Sequence, residues 1–158
     1  MNKLLKVYNV EENMFGAPEF AAMMLDLERI SHASVDALFA VGCLQYELTM
    51  NQLHILLELN KGQAYTVGEL SHMVGILKGN MAGVSKRLEE RGLIMRKRSA
   101  EDERMVLLQI TDAGKRIVND IFEQIEQKHS AAFRQEASEE FEKILEGLKA
   151  LYALLEQI

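Results

Sequence analysis

The sequence contains few of the residues that interrupt a helix or cross-link a fold. Its 158 residues include one proline, ten glycines and a single cysteine, Cys43. Because prolines and glycines are few, long stretches can remain helical, and we expect a mainly α fold rather than a sandwich built from many turns. One cysteine excludes an intramolecular disulfide framework and a thiolate-rich zinc site, and it indicates a reducing compartment.

Long hydrophobic runs are also absent. No apolar run approaches the roughly 20 residues that span a bilayer, and residues 1–10 lack the apolar segment of a secretory signal. We therefore expect a cytoplasmic protein with no membrane partner. Hydrophobic residues make up 48% of the chain and charged residues 27%, which are ordinary values for one compact domain with helical extensions.

The net charge of -6 argues at first against a nucleic-acid partner, because phosphates attract a positive surface. The charge is unevenly distributed, however. Residues 75–104 include eight basic and five acidic residues, a net charge of +3, whereas the remainder of the chain carries -9. One segment is therefore suited to DNA, while the rest of the chain would repel it.

Apolar spacing predicts a series of helices. The stripe over residues 23–48 alternates steps of three and four residues, which predicts one long first helix. Thr49 and Thr66 each precede a glutamine or glutamate by three residues, Gln52 and Glu69, and this is the spacing of a capping box. We therefore expect two further helices to begin after these threonines.

The segment that follows has the order of a winged helix-turn-helix. Residues 76–91 form an amphipathic helix with a polar face open to a partner, and Gly92 supplies its stop. Two β-compatible stretches, 93–98 and 105–111, flank the polar tip at 99–103, which predicts a hairpin of two short strands.

Two long amphipathic helices are expected at the end of the chain. After a cap at Thr111, the first carries an apolar stripe of Val118, Phe122, Ile125, His129 and Ala132. The second begins near Ser138, and its stripe consists of Phe141, Ile144, Leu145, Leu148, Leu151, Tyr152 and Leu155. Exposed stripes of this length favour aggregation unless a second copy covers them. The sequence therefore predicts a homodimer, with a helical dimerisation region at 1–48 and 112–158 and a DNA-binding domain at 49–111.

Ordered motifs in the centre of the chain resemble the MarR family of transcriptional regulators. They are LTMNQLHIL at 48–56, KGNMAGVSKRLE at 78–89, RGLI at 91–94, DERMV at 102–106 and ITDAG at 110–114. The match covers roughly 70 central residues, and the flanking helices agree in kind. It implies a winged helix-turn-helix, mainly α with a small β-hairpin wing, flanked by long dimerisation helices.

The resemblance implies that residues 78–89 are the recognition helix. Lys78 and Asn80 lie at its start, where their side chains suit the guanine and adenine edges in the major groove. Gly79 and Gly83 of the same helix are also expected to be DNA-binding residues. Contacts to phosphates, which position a protein without specifying sequence, are expected from Lys86, Arg87, Arg96, Lys97 and Arg98. Some of these basic side chains are expected to face solvent only.

The wing is expected to reach the minor groove. Arg104 stands at the family position with this role, and Asp102 can hold its guanidinium in place. The alternative is that this pair only stabilises the wing. Leu77 departs from the family, which often has a small hydroxyl residue there, so the usual helix cap is missing. Either the recognition helix begins later, at Asn80, or DNA helps to order its first turn.

No residues in the sequence form a clear catalytic or metal-binding motif. The four histidines lack the paired spacing of a zinc site, and no nucleophile is accompanied by a base. We expect no enzymatic activity, no cofactor and no metal. Cys43 lies among apolar residues without a basic neighbour, which is typical of a buried, inert thiol. A thiol or metal sensor on the same scaffold is an alternative.

Together, these features predict a sequence-specific regulator that binds double-stranded DNA as a homodimer on a pseudo-palindromic operator, with repression as the expected outcome. The resemblance also implies a small-molecule effector that changes DNA binding. The rival interpretation is a winged-helix module that contacts a protein. Only DNA binding would give a salt-sensitive enrichment of DNA fragments.

Overall fold

The computed structural model describes residues 16–99, 102, 104–130 and 138–157. The elements in this part of the chain are α1 (Ala17–Gln45), α2 (Met50–Leu59), β1 (Tyr65–Thr66), α3 (Val67–Met73), α4 (Lys78–Glu90), β2 (Ile94–Arg98), β3 (Val106–Ile110), α5 (Asp112–His129) and α6 (Ser138–Leu155). The expected fold class, mainly α with a small β-hairpin wing, is confirmed.

Both predicted capping boxes are present. The hydroxyl of Thr49 accepts a hydrogen bond from the backbone N–H of Gln52, whose side chain accepts one from the N–H of Thr49 at 2.8 Å. Thr66 and Glu69 make the same reciprocal pair, also at 2.8 Å. Because each box satisfies two N–H groups that lack partners within the helix, α2 and α3 begin where the sequence predicts.

The wing is an antiparallel sheet in the order β1-β3-β2. Strands β2 and β3 form the predicted hairpin, with Ile94 opposite Ile110. The two-residue strand β1, in which Tyr65 pairs with Leu108, is not predicted by the sequence. Its pairing attaches the start of α3 to the wing.

The hydrophobic core is formed by α2, α3, α4, α5 and the β2–β3 hairpin. Each contributes side chains with almost no exposed surface, so these elements form one packed body. These side chains are Leu53, Ile55, Leu56, Leu59, Leu70, Met81, Leu88, Ile94, Leu108, Val118 and Ile121.

The buried face of α5 differs from the predicted stripe. Val118 is buried within the protomer and Phe122 is 46% exposed, while Ile121, which is not part of the predicted stripe, is also buried. Ile121 packs against Gly42, where an added Cβ would lie 2.7 Å from the Ile121 Cγ1 atom. The predicted stripe is therefore only partly covered within the protomer, with Val118 buried and Phe122 exposed. Ala132 lies outside the described residues.

Helix α1 begins at Ala17 rather than at Met23. Pro18 is tolerated in its first turn, because the N–H that proline lacks would have no partner within the helix there. The chain divides into two compact units, Met1–Val41 and Gly42–Ile158. In the first unit α1 exposes a series of large apolar side chains, namely Leu25, Leu27, Ile30, Leu38 and Val41. The predicted division into a dimerisation region and a DNA-binding domain stays a prediction.

Helix α1 also ends earlier than predicted, at Gln45 rather than at Leu48. Glu47 adopts a left-handed backbone with φ 49°. The N–H of Leu48 donates to the carbonyl of Cys43 at 2.8 Å, and the N–H of Glu47 donates to that of Leu44 at 3.3 Å. This is the Schellman pattern, with a glutamate where glycine is usual. A non-glycine residue in this conformation costs on the order of 1–3 kcal/mol.

Helix α6 exposes most of its predicted apolar stripe. Phe141, Ile144, Leu145, Leu148, Tyr152 and Leu155 are each at least 41% exposed. Of the helices in the described part of the chain, none is both long and apolar enough to cross a membrane.

Candidate nucleic-acid interface

Helix α4 begins without a side-chain cap. Its N-cap residue is Leu77, whose backbone carbonyl accepts hydrogen bonds from the N–H groups of Asn80 at 2.8 Å and Met81 at 3.0 Å. The Leu77 side chain is 77% exposed. The helix thus starts at Lys78 rather than later, at Asn80, although the stabilising cap that the family often has is absent.

The two faces of α4 are clearly separated. Met81, Ser85 and Leu88 are buried in the core. The predicted base-reading and phosphate-binding residues of this helix are all exposed, namely Lys78, Gly79, Asn80, Gly83, Lys86 and Arg87. An added Cβ at Gly79 or Gly83 would meet nothing within 4 Å. This face is therefore open to the close approach of another molecule.

The strand β2 is tied to α4 through Arg96. The Arg96 Nε atom lies 2.8 Å from the Glu89 carboxylate, and its Nη2 atom lies 3.5 Å from the hydroxyl of the buried Ser85. The guanidinium predicted to contact phosphate is thus engaged within the protein. Its neighbours Lys97 and Arg98 are exposed and extend the basic surface next to α4.

Backbone hydrogen bonds hold the turn between the two wing strands. The Asp102 carboxylate accepts a hydrogen bond from the backbone N–H of Arg104 at 2.9 Å, so it stabilises the turn. The turn is closed by the N–H of Ser99, which donates to the carbonyl of Met105 at 2.9 Å. That Asp102 also orients the Arg104 side chain when DNA is bound stays a prediction. Both Asp102 and Arg104 are exposed.

A residue that the sequence does not single out joins α4 to the end of α1. Arg91, the C-cap residue of α4, donates from Nη1 to the carbonyl of Glu47 at 3.0 Å and from Nη2 to that of Tyr46 at 2.6 Å. The partners are 44 and 45 positions away in sequence, so no local pattern reveals the contact. Arg91 contributes to the positive charge counted above, but its guanidinium is occupied.

Tyr46 is also held from its side chain. Its hydroxyl donates to the Asp120 carboxylate on α5. This hydrogen bond, together with burial, raises the pKa of the Tyr46 hydroxyl above its ordinary value. The amide of Gln124 joins the same cluster by donating to Asp120 and to Gln45, both at 2.9 Å.

The described residues offer no cluster of three or more histidine, cysteine or acidic side chains that could hold a metal ion. Cys43 is buried, and its Sγ atom lies 3.6 Å from the Sδ atom of Met50. This environment agrees with the expectation of a buried cysteine rather than an exposed one.

Residues 37–121, more than half of the chain, match the family model described as the transcriptional regulator SarA/Rot. The chain is similar to the HTH-type transcriptional regulator YfiV of Bacillus subtilis (strain 168), with 29% identity over 113 residues that cover 72% of this chain and 71% of YfiV.

Solved structures show the same fold. A MarR family protein from Bacillus stearothermophilus has a TM-score of 0.70 and 23% identity, over 89% of this chain and 98% of that protein. A mutant of S. aureus MepR bound to an oligodeoxyribonucleotide has a TM-score of 0.57 and 20% identity, over 84% of this chain and 97% of MepR. The winged helix-turn-helix fold expected from the sequence is confirmed.

Proposed function

Because this chain belongs to the SarA/Rot family of transcriptional regulators, we propose that it acts by binding double-stranded DNA with the exposed face of α4. The observation that carries this proposal is the separation of α4 into a buried face and an open polar face, with no neighbour near Gly79 or Gly83. A helix of this kind fits the B-DNA major groove, which is about 12 Å wide. The similar fold of DNA-bound MepR supports the same arrangement.

Within this arrangement, the start of α4 reads the bases. Lys78 suits guanine O6 and N7, and Asn80 suits adenine N6 and N7. Arg87, Lys97 and Arg98 contact phosphates, which supply affinity without specifying sequence. Lys86 can take part as well, because its pairing with Glu90 is loose, at 3.7 Å.

The wing arginine Arg104 enters the minor groove next to the major groove that α4 occupies. Its side chain is exposed, and a narrow A·T-rich groove has the enhanced negative potential that attracts a guanidinium. Asp102 contributes by holding the backbone of the turn at 2.9 Å, and this fixes the point from which Arg104 projects.

The protein acts as a homodimer on a pseudo-palindromic operator. The apolar stripe of α6 and the exposed Phe122 of α5 are the surfaces that the second copy covers, because contiguous apolar patches of this kind are rare on monomers. Two recognition helices then enter successive major grooves roughly 34–36 Å apart. Light scattering should give twice the chain mass of 17.9 kDa, and Leu148→Arg on α6 should reduce it toward one chain. A folded wild-type monomer at micromolar concentration would contradict the dimer.

Repression is the outcome that we propose for the bound operator, because a dimer seated on the duplex blocks other proteins from the same grooves. Release by a small molecule, implied by the resemblance to MarR regulators, remains a prediction.

Selection of bound duplexes from a random pool tests the proposal. The wild-type protein should enrich a two-part site, and log Kobs should fall with log salt by about 0.9 for each phosphate contact. Asn80→Ala should reduce affinity for the selected site more than for random duplex, since a base contact gives about 1–3 kcal/mol of discrimination.

Lys97→Ala should weaken binding to both kinds of duplex equally and lower the salt slope by about one unit. Arg116→Ala on the exposed surface of α5 is the matched control, and it should bind like the wild type. A pool that shows no salt-sensitive enrichment would favour the rival interpretation, a winged helix that contacts a protein.

A further inference from the structure

The turn that follows α1 is held from two sides. The guanidinium of Arg91 binds the backbone carbonyls of Tyr46 and Glu47 at 2.6 and 3.0 Å. The side chain of Tyr46 binds Asp120 on α5. One short turn therefore connects the end of α4 with the middle of α5.

The contact at Arg91 requires the unusual conformation of the turn. In a Schellman ending, the carbonyls of the last residues point away from the helix without partners in it. Glu47 at φ 49° presents its carbonyl beside that of Tyr46, and the planar fork of an arginine can bind both at once. A lysine has the charge but not the fork, so this geometry specifies arginine.

Arg91 lies at the opposite end of α4 from Lys78, so a small tilt of the helix at Arg91 moves Lys78 by a large distance. Helix α4 has 13 residues, so Arg91 lies about 20 Å from Lys78 at a rise of about 1.5 Å per residue. A tilt of about 5° at Arg91 would move Lys78 by nearly 2 Å over that length. Such a displacement is larger than the width, about 0.5 Å, of the window of roughly 2.7–3.2 Å within which a base hydrogen bond forms.

We propose that Arg91 is a positioning residue for operator recognition, which fixes the direction of α4 relative to α5 and thereby the separation of the two half-sites that the dimer binds. The inference rests on the proposed function, because it assumes a DNA-binding homodimer. Tyr46 completes the connection by linking the turn to Asp120. Neither residue needs to touch DNA.

The test measures how affinity depends on half-site spacing. The probes are the duplex that the wild-type protein selects from a random pool, the same duplex with one or two base pairs inserted or deleted at its centre, and a duplex with a single half-site. The wild-type protein should prefer its own spacing at least tenfold. Arg91→Ala should reduce this preference below threefold, while its affinity for the single half-site stays within twofold of the wild-type value.

Two milder variants keep the test decisive if Arg91→Ala does not fold. Arg91→Lys retains the charge without the fork, and Tyr46→Phe retains the ring without the bond to Asp120. Both should flatten the spacing profile, whereas Arg116→Ala should leave it unchanged. A role confined to stability would lower the melting temperature and leave the profile as it is in the wild-type protein.

The outcomes separate this inference from the function on which it rests. A wild-type protein that enriches no duplex overturns both. A wild-type protein with a clear spacing preference that Arg91→Lys and Tyr46→Phe retain in full overturns the positioning role alone. Equal losses on the single half-site and on the full site would also overturn it, because they would identify Arg91 as a direct DNA contact.

Discussion

Glu89 on α4 and Arg96 on β2 form an ion pair at 2.8 Å that joins this helix to the wing. Both side chains are about one-third exposed, at 37% and 36%, so solvent screens their attraction. A pair of this kind contributes about 0–1 kcal/mol to stability. Its main consequence is that the Arg96 guanidinium has a protein partner before DNA arrives.

We therefore expect Arg96→Ala to leave the salt slope of DNA binding nearly unchanged, because we expect its guanidinium to stay paired with Glu89 rather than to contact phosphate. Arg98→Ala, two residues along the same strand, should lower the slope by about 0.9. Fluorescence anisotropy titrations at several salt concentrations measure both slopes. An equal decrease in the two variants would restore the phosphate role that the sequence predicts for Arg96.

A second prediction concerns the missing cap of α4. Leu77→Ser should raise the free energy of unfolding by about 0.5–2 kcal/mol, because a serine hydroxyl at the N-cap can accept from a backbone N–H of the first turn. The backbone of Leu77, at φ -55° and ψ 133°, resembles that of the capping threonine Thr66, at φ -66° and ψ 160°. Urea denaturation measures the change. Leu77→Ala removes the same apolar surface without supplying a cap, and a similar gain in that variant would exclude capping as the cause.

A third prediction contrasts two glycines in helices. Gly83→Ala should stabilise the protein by about 1 kcal/mol, because alanine favours a helix and its Cβ would meet nothing within 4 Å. Gly114→Ala should destabilise it by about 1–3 kcal/mol, since the new Cβ would overlap the Leu93 carbonyl oxygen and lie 2.7 Å from Ile110 Cγ1.

The Gly83→Ala variant also tests whether DNA approaches the open face of α4. If DNA approaches closely at position 83, Gly83→Ala should bind its selected duplex more weakly than the wild type in spite of its greater stability. Thermal melting and anisotropy titrations give the two quantities. Higher stability with wild-type affinity would mean that DNA leaves room for a methyl group there.

A fourth prediction concerns acid. Hydrogen bonds from the backbone and side chain of Thr66 lower the pKa of Glu69 below its ordinary value of 4.5. A carboxyl group whose pKa is lowered by folding stabilises the folded state above pH 4.5, and this contribution is lost as the pH falls through the lower, folded pKa. Glu69→Gln keeps a capping acceptor that does not titrate, as Gln52 does in α2.

The melting temperature of Glu69→Gln should therefore decline less steeply between pH 5 and pH 3 than that of the wild-type protein. Gln52→Glu is the matched variant, and it should introduce a similar acid dependence at the start of α2. Parallel melting curves for the wild-type protein and Glu69→Gln across this range would show that the cap of α3 does not depend on the charge of Glu69.

Local features of this fold could be predicted from the sequence. The two capping boxes and the stop at Gly92, which has φ 69°, depend on residues within three or four positions of each other, so their spacing is sufficient. The hairpin follows from alternating residues on either side of a polar tip. The buried and exposed faces of α4 follow from its apolar spacing.

Features that depend on distant partners could not be predicted. Strand β1 has two residues, too few for a pattern, and forms only because Leu108 is available to pair with Tyr65. The early end of α1 is a local feature, but it could not be predicted either, because Glu47 is not a residue that usually adopts a left-handed backbone. In the candidate site, the exposure of Asn80 could be predicted, whereas the engagement of Arg91 with carbonyls more than 40 residues away could not.

Thr66 belongs both to β1 and to the cap of α3, and this double role limits which amino acids the position can accept. Serine, aspartate and asparagine are good caps, but aspartate and asparagine are depleted in strands, where β-branched and aromatic residues are enriched. Valine or isoleucine would suit the strand and leave the helix without an acceptor. Threonine combines a hydroxyl with a branched Cβ. In a library of variants at this position, we expect threonine to be recovered most often and serine next.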